Sequence, residues 1–238
     1  ACRGPERRLL LAPGPAGTLG FAAYAVDGAG ELARLKARLE AAGVPLAPSP
    51  SPLFGPEAFA VDDPDGTRLV FGLAAEGREA PPRSPALSGR LQHVVVATPR
   101  CEALSRFYTD RLGFVVSDRV YRDDRTLTAC FLRSDHEHHS LALFQADAYR
   151  LDHHCYETAG WTAIRDWADR FAAQGVPLDW GPGRHGPGNN LFIFVRDPDG
   201  NWIELSAELE VVAPDRPAGR WRHEERTLNL WGRAPLRS

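Results

Sequence analysis

Three residues resist explanation as ordinary packing: His93 in LQHVVVAT, His154 in LDHHCYET and Glu204 in NWIELSAE. Each sits in a stretch that reads as a β-strand, so its side chain is directed to one face of a sheet. Two imidazoles and one carboxylate on adjoining strands make the facial set that leaves neighbouring positions open on Fe(II), and the same donors suit Mn(II). A strand histidine by itself is more often a hydrogen-bonded core residue. Glu204 is harder to place that way, because a carboxylate among Trp202, Ile203 and Leu205 is costly to bury unless it is paired or bound to a cation.

The elements that must position these groups form a repeat. GELARLKARLEAAGVPL (Gly30 to Leu46) has a counterpart in WTAIRDWADRFAAQGVPL (Trp161 to Leu178), an amphipathic helix ended by glycine and followed by a strand. AFAVDDPDGTRLVF matches FIFVRDPDGNWIEL, each a strand pair joined by an Asp-Pro-Asp-Gly turn. The offsets are 132 for Gly43 and Gly175 and 134 for Asp63 and Asp197, which is duplication with small insertions. The unit is strand, helix, then three strands. Another copy opens at Leu91 and joins directly to the last at Asp152. In the N-terminal copy Val70 stands where the last copy has Glu204, and its opening strand, GFAAYAV, has no histidine. A metal site is therefore expected only in the C-terminal half.

Ala74 to Gly89 is rich in Pro, Ala and Ser and reads as a linker. The expected organisation is α+β, tandem βαβββ modules forming two barrel-like domains. Residues 1–85 form an incomplete N-terminal domain without a metal site, with the linker at about 74–89, residues 90–210 a catalytic domain and residues 211–238 a tail. RRLLLAP near the start reads as the last strand of a further unit. Together with the absence of any methionine, it leads us to expect a chain truncated at its N-terminus.

The tandem units, with His in the opening strands of two of them and Glu in the last strand, resemble the type I extradiol dioxygenases of the vicinal oxygen chelate superfamily. The resemblance runs from about Arg7 to Glu210 and rests on HVVVAT, HHSLALF, DHHCYET, PGRHGPGNNLFIF and DPDGNWIEL in order. It implies that His93, His154 and Glu204 hold Fe(II) or Mn(II), with His153 pointing to the opposite face. It assigns His139 as the acid–base histidine, apt because an imidazole titrates near neutrality, and His185 as a histidine touching bound substrate or oxygen. His138 is expected to face away from His139. An aromatic pocket of Trp161, Phe192, Phe194 and Trp202 is expected, with Tyr156 or Asn190 as a donor to substrate. One departure stands out: ten residues before Glu204 the family commonly has a tyrosine, and this chain has Phe194. The implied activity is cleavage of a catechol-type ring by O2.

With 28 basic and 31 acidic residues and no run of like charge, neither nucleic acid nor a membrane surface is an expected partner. No stretch is long and apolar enough for a membrane span, and a cytoplasmic homo-oligomer is expected. The four cysteines form no CxxC pair and read as reduced thiols. Two competing readings keep the fold: a metal-dependent isomerase or lyase of the glyoxalase kind, and a protein that sequesters an aromatic ligand without catalysis. The tail, with Trp221 and Trp231, is expected to fold back over the active site or to pack at the surface.

Overall fold

The computed structural model describes residues 9–73, 87 and 89–236. The duplication in the sequence is also a duplication in space. Strand β1 (Ala22–Ala25), helix α1 (Ala29–Ala41) and strands β2 (Ala47–Pro48), β3 (Phe59–Asp62) and β4 (Arg68–Gly72) form a four-stranded sheet in the order β1-β4-β3-β2. The same path is then traced twice more. It runs through β5 (Arg90–Thr98), α2 (Cys101–Arg106), β6 (Val115–Tyr121), β7 (Leu127–Arg133) and β8 (Leu141–Gln145), and then through β9 (Arg150–Glu157), α3 (Trp161–Ala173), β10 (Trp180–Arg184), β11 (Leu191–Arg196) and β12 (Trp202–Ala207). These two units share one nine-stranded sheet, ordered β10-β11-β12-β9-β5-β8-β7-β6-β13, with β5 and β9 antiparallel at the seam between them. The expected α+β class and its strand-helix-three-strand modules are thus present.

The Asp-Pro-Asp-Gly turns close by the same mechanism in both copies. Asp63 Oδ1 accepts from the Asp65 and Thr67 amides, each at 2.9 Å, and Asp197 Oδ1 from the Asp199 and Asn201 amides at 3.0 and 2.8 Å. Gly66 and Gly200 follow with φ of 86° and 84°, a region that side chains with a Cβ disfavour.

Strand alternation divides the large sheet into two faces. Val96, Cys130, Leu132, Leu141 and Leu143 join Leu32, Leu35 and Leu39 of α1 and Leu104 of α2 in the main core. Leu191, Ile193, Ile203 and Leu205 pack on Ile164 of α3. Each large apolar side chain buried this way stabilises the fold by roughly 1.5–3 kcal/mol. The residues between them, Val95, Phe131, Ala142, Phe144, Phe194 and Glu204, look the other way.

The tail folds back: β13 (Gly219–Arg222) adds to β6 in parallel, and a short helix α4 (Glu225–Leu228) follows. Two expectations need comment. Of RRLLLAP, the described residues Leu9 to Pro13 form no strand, and with no described strand beside them to supply a ladder Leu11 is 89% exposed. The boundary near residue 85 and nearly all of the 74–89 linker lie outside the described residues, as does Cys2; the other three cysteines are buried and unpaired. No helix is long and apolar enough to cross a membrane.

Candidate metal centre and active site

Because β5, β9 and β12 lie side by side, residues at matched register on their inner face are brought together. His93 pairs across the ladder with Cys155, and Cys155 with Glu204. The next inward residue on β9 after Cys155 is His153, two positions back. His153 Nε2 lies 3.2 Å from Glu204 Oε2, and His93 Nε2 lies 3.3 Å from the same oxygen. All three side chains are buried.

This overturns one sequence expectation. His154, not His153, faces away from the site: it shares its face with Tyr156, which packs with Ile203, Leu205 and Ile164 under α3, and the two rings meet edge to face at 5.4 Å. Strand parity therefore excludes both His154 and Tyr156 from the pocket. A signal in the sequence pointed to His153. Leu91-Gln92-His93 through Thr98 matches Leu151-Asp152-His153 through Thr158, a constant offset of 60 that pairs His93 with His153. Trp161 also lies elsewhere, 47% exposed at the start of α3 against Trp231.

The surroundings fix the orientation of these groups. Asp152 Oδ1 lies 2.6 Å from His153 Nδ1. A hydrogen held there leaves the Nε2 lone pair directed at Glu204, the usual way a carboxylate orients a ligating imidazole. Asn190, expected as a substrate donor, instead donates from Nδ2 to Glu204 Oε1 (3.1 Å) and Ser206 Oγ (2.9 Å), so it aims the carboxylate. His185 Nδ1 donates to the Leu228 carbonyl at 2.5 Å, its ring stacks on Phe192 with centroids 4.0 Å apart, and its Nε2 lies 3.6 Å from Glu204 Oε1.

Burial alone would raise the Glu204 carboxyl, but the His153, His185 and His93 imidazoles hold it well below the usual carboxylate range. Burial lowers His93, more than the Glu204 carboxylate offsets. His153 also feels burial, yet Asp152 and Glu204 raise it above the ordinary imidazole value. His139 is pushed well below that value by burial and by its neighbours His93 and His138.

Two imidazole nitrogens and a carboxylate oxygen crowded together in a buried place carry lone pairs that repel unless a proton or cation lies among them. Ligand atoms about 2.1 Å from an ion and at right angles to each other stand about 3.0 Å apart, close to the 3.2 and 3.3 Å seen here. Each imidazole is thus spaced from Glu204 as two ligands of one divalent cation would be. Cys155 Sγ lies within 4.8 Å of donor atoms of His93 and Glu204, but burial raises its thiol well above the ordinary range, which disfavours the thiolate a metal would need.

Above this group opens a pocket of about 750 Å³, part of it open to solvent. Its walls are Val95, Val120, Ala129, Phe131, Phe144, Trp180 and Phe194, with His139 and His185 beside the metal-facing group and His223, Glu224, Thr227 and Leu228 supplied by the tail. The apolar, largely aromatic lining suits an aromatic molecule. Of the expected aromatic residues, Phe194 lines the pocket, while Phe192 stands behind His185. The tail folds back over the site, one of the outcomes expected for it, but which of its residues reach the pocket, and the part played by Asp152, were not anticipated, since nothing in their spacing ties them to the ligand strands.

Residues 90–205 match the family model of the Glyoxalase/Bleomycin resistance protein/Dioxygenase superfamily. A biphenyl-2,3-diol 1,2-dioxygenase of Rhodococcus globerulus is 30% identical over 153 residues, covering 60% of this chain and 75% of that protein. The chain belongs to this superfamily. Metapyrocatechase 2 of Cupriavidus necator is 28% identical over 226 residues, 85% of this chain and 69% of that enzyme. Among solved structures, a homoprotocatechuate 2,3-dioxygenase mutant from Brevibacterium fuscum superposes with a TM-score of 0.81 at 25% identity, covering 92% of this chain and 64% of that one. Other similar proteins are named for dependence on iron or on manganese, and one similar structure is a Mn(II)-bound glyoxalase.

Proposed function

We propose that this superfamily member is an extradiol dioxygenase that opens a catechol-type ring with O2 at a metal held by His93, His153 and Glu204. The observation that carries the reading is the convergence of both Nε2 atoms on one Glu204 oxygen beside a pocket lined mostly by apolar side chains. Fe(II) suits the donor set, and Mn(II) is the alternative; when bound, the ion supplies adjacent open positions for a vicinal diol and O2.

The chain's own residues do the rest. Asp152 and Asn190 keep His153 and Glu204 aimed at the shared centre. His139, held neutral by burial, accepts a proton from a substrate hydroxyl and later returns it. Phe131, Phe144, Phe194 and Trp180 exclude water and face the ring. Phe194 offers no hydroxyl, so polar contact with substrate oxygens falls to His139 and His185.

The glyoxalase-like reading would call for additional carboxylate ligands; of the two carboxylates that line the pocket among the described residues, Glu204 and Glu224, it is Glu204 that lies within 4 Å of the histidine nitrogens. Sequestration without catalysis would make the precise aim of Asp152 and Asn190 superfluous. The test is to supply Fe(II) or Mn(II), O2 and a panel of catechols. The expected result is a yellow ring-opened product and oxygen uptake; a protein that binds catechols with neither oxygen uptake nor a bound metal refutes the proposal.

A further inference from the structure

His139 turns one ring nitrogen away from the pocket, where it meets a second imidazole. His139 Nδ1 lies 3.0 Å from His138 Nδ1, with the two rings at 89°. His138 has no exposure, and its far nitrogen, Nε2, lies 3.2 Å from Asp118 Oδ2. The two atoms approach closely without the geometry of a hydrogen bond. Asp118 is equally buried and accepts from Trp221 Nε1 at 2.6 Å and from Arg216 Nη1 and the Gly219 amide, each at 3.1 Å.

An ionised carboxylate only accepts, so the hydrogen of a neutral His138 belongs on Nε2, facing Asp118. His138 Nδ1 is then a lone pair, and the single hydrogen between the two Nδ1 atoms must sit on His139. His139 Nε2 is left bare toward the pocket. We propose that His138, anchored by Asp118, is a positioning residue that fixes His139 as its Nδ1–H tautomer and so presents Nε2 as the proton acceptor.

When a substrate O–H bond breaks, its proton forms the new bond at His139 Nε2, while the Nδ1 hydrogen stays bonded toward His138. Because Trp221, Arg216 and Gly219 all belong to the tail, seating of the tail and readiness of His139 are tied at Asp118. The inference rests on the dioxygenase reading for His139's task, but the tautomer is a property of the protein alone.

The test compares His138→Leu with His138→Asn. The Asn carbonyl oxygen falls near the Nδ1 position and can still accept from His139. His138→Leu should lower kcat for catechol cleavage on the order of 10²-fold, with KM and bound metal within about threefold of the parent. His138→Asn should recover at least about tenfold of that loss. In metal-free protein, imidazole 15N resonances should show His139 protonated at Nδ1, and His138→Leu should mix the two tautomers. A His138→Leu enzyme with undiminished kcat, a His138→Asn enzyme no better than it, or an Nε2–H His139 in the parent would overturn the proposal. Absence of turnover in the parent would instead defeat the dioxygenase reading, leaving the 15N measurement to decide the tautomer.

Discussion

Replacing His153 and, separately, His154 by alanine distinguishes two adjacent residues with opposite consequences. His153→Ala removes one of the two imidazole nitrogens that lie 3.2–3.3 Å from Glu204 Oε2, and leaves Glu204 and His93 to hold the ion alone. Loss of an outer residue that merely orients a ligand costs about 10- to 100-fold in metal affinity. Loss of the ligand itself should exceed that, so the expected drop is above about 10²-fold, equivalent to about 2.7 kcal/mol or more. His154→Ala removes a ring that contacts Tyr156 on the helix side of β9, and should leave metal affinity within about threefold while lowering stability by about 1 kcal/mol. Calorimetric titration with Mn(II), with thermal melts of the metal-free proteins as controls, reads both quantities. Metal loss in His154→Ala with retention in His153→Ala would show that β9 sits one residue out of the register described, since a single slip exchanges the two faces of a strand.

Asp152→Asn should weaken metal binding by about 10- to 100-fold, because the carboxylate that orients His153 is gone; equilibrium dialysis measures it. Metal binding should also depend on pH through His153. Because its value is raised, the ion must displace a proton from His153 once the pH is below that raised value, and affinity should fall about tenfold per unit as the pH drops further. The sign for stability is the reverse: the metal-free protein has the full His153 contribution below pH 6.5 and loses it as pH rises through the raised value, which melts across pH will show. Phe194→Tyr places a hydroxyl in the pocket wall and should lower KM for catechols by about tenfold, the worth of one hydrogen bond to a charged oxygen; steady-state kinetics with unchanged KM would count against a substrate lying on that wall. Truncation after Glu210 removes His223, Glu224, Thr227 and Leu228 from the pocket and three donors from Asp118, and should raise KM and lower kcat together.

The fold was largely legible because its signals are local. The helix ended by glycine and the Asp-Pro-Asp-Gly turn each recur, and each has its own short-range cause in backbone geometry. Glu204 and His93 were legible because a polar side chain in an apolar strand needs a reason. The error at His154 came from giving a histidine doublet to the wrong face; parity is absolute once a register is known, but a single strand does not announce its register. Tyr156 followed the same mistake. Asp118 as the tail's anchor was invisible because Trp221, more than 100 residues along the chain, reaches the carboxylate only after β13 has docked. Asn190 was noticed for its amide, yet its task is to aim Glu204, something only the cross-strand register with Ser206 and Glu204 reveals.

The seam between β5 and β9 has one more implication. His93 comes from one half of the duplicated sheet, while His153 and Glu204 come from the other. An ion held among them acts as a rivet through the joint of two halves that are otherwise joined by backbone ladders and by side-chain contacts such as those of Arg90 with Glu157 and Gln92 with Cys155. Departure of the ion and parting of the halves then become one event, so the residence time of the metal should track how often the β5–β9 amides exchange with deuterium.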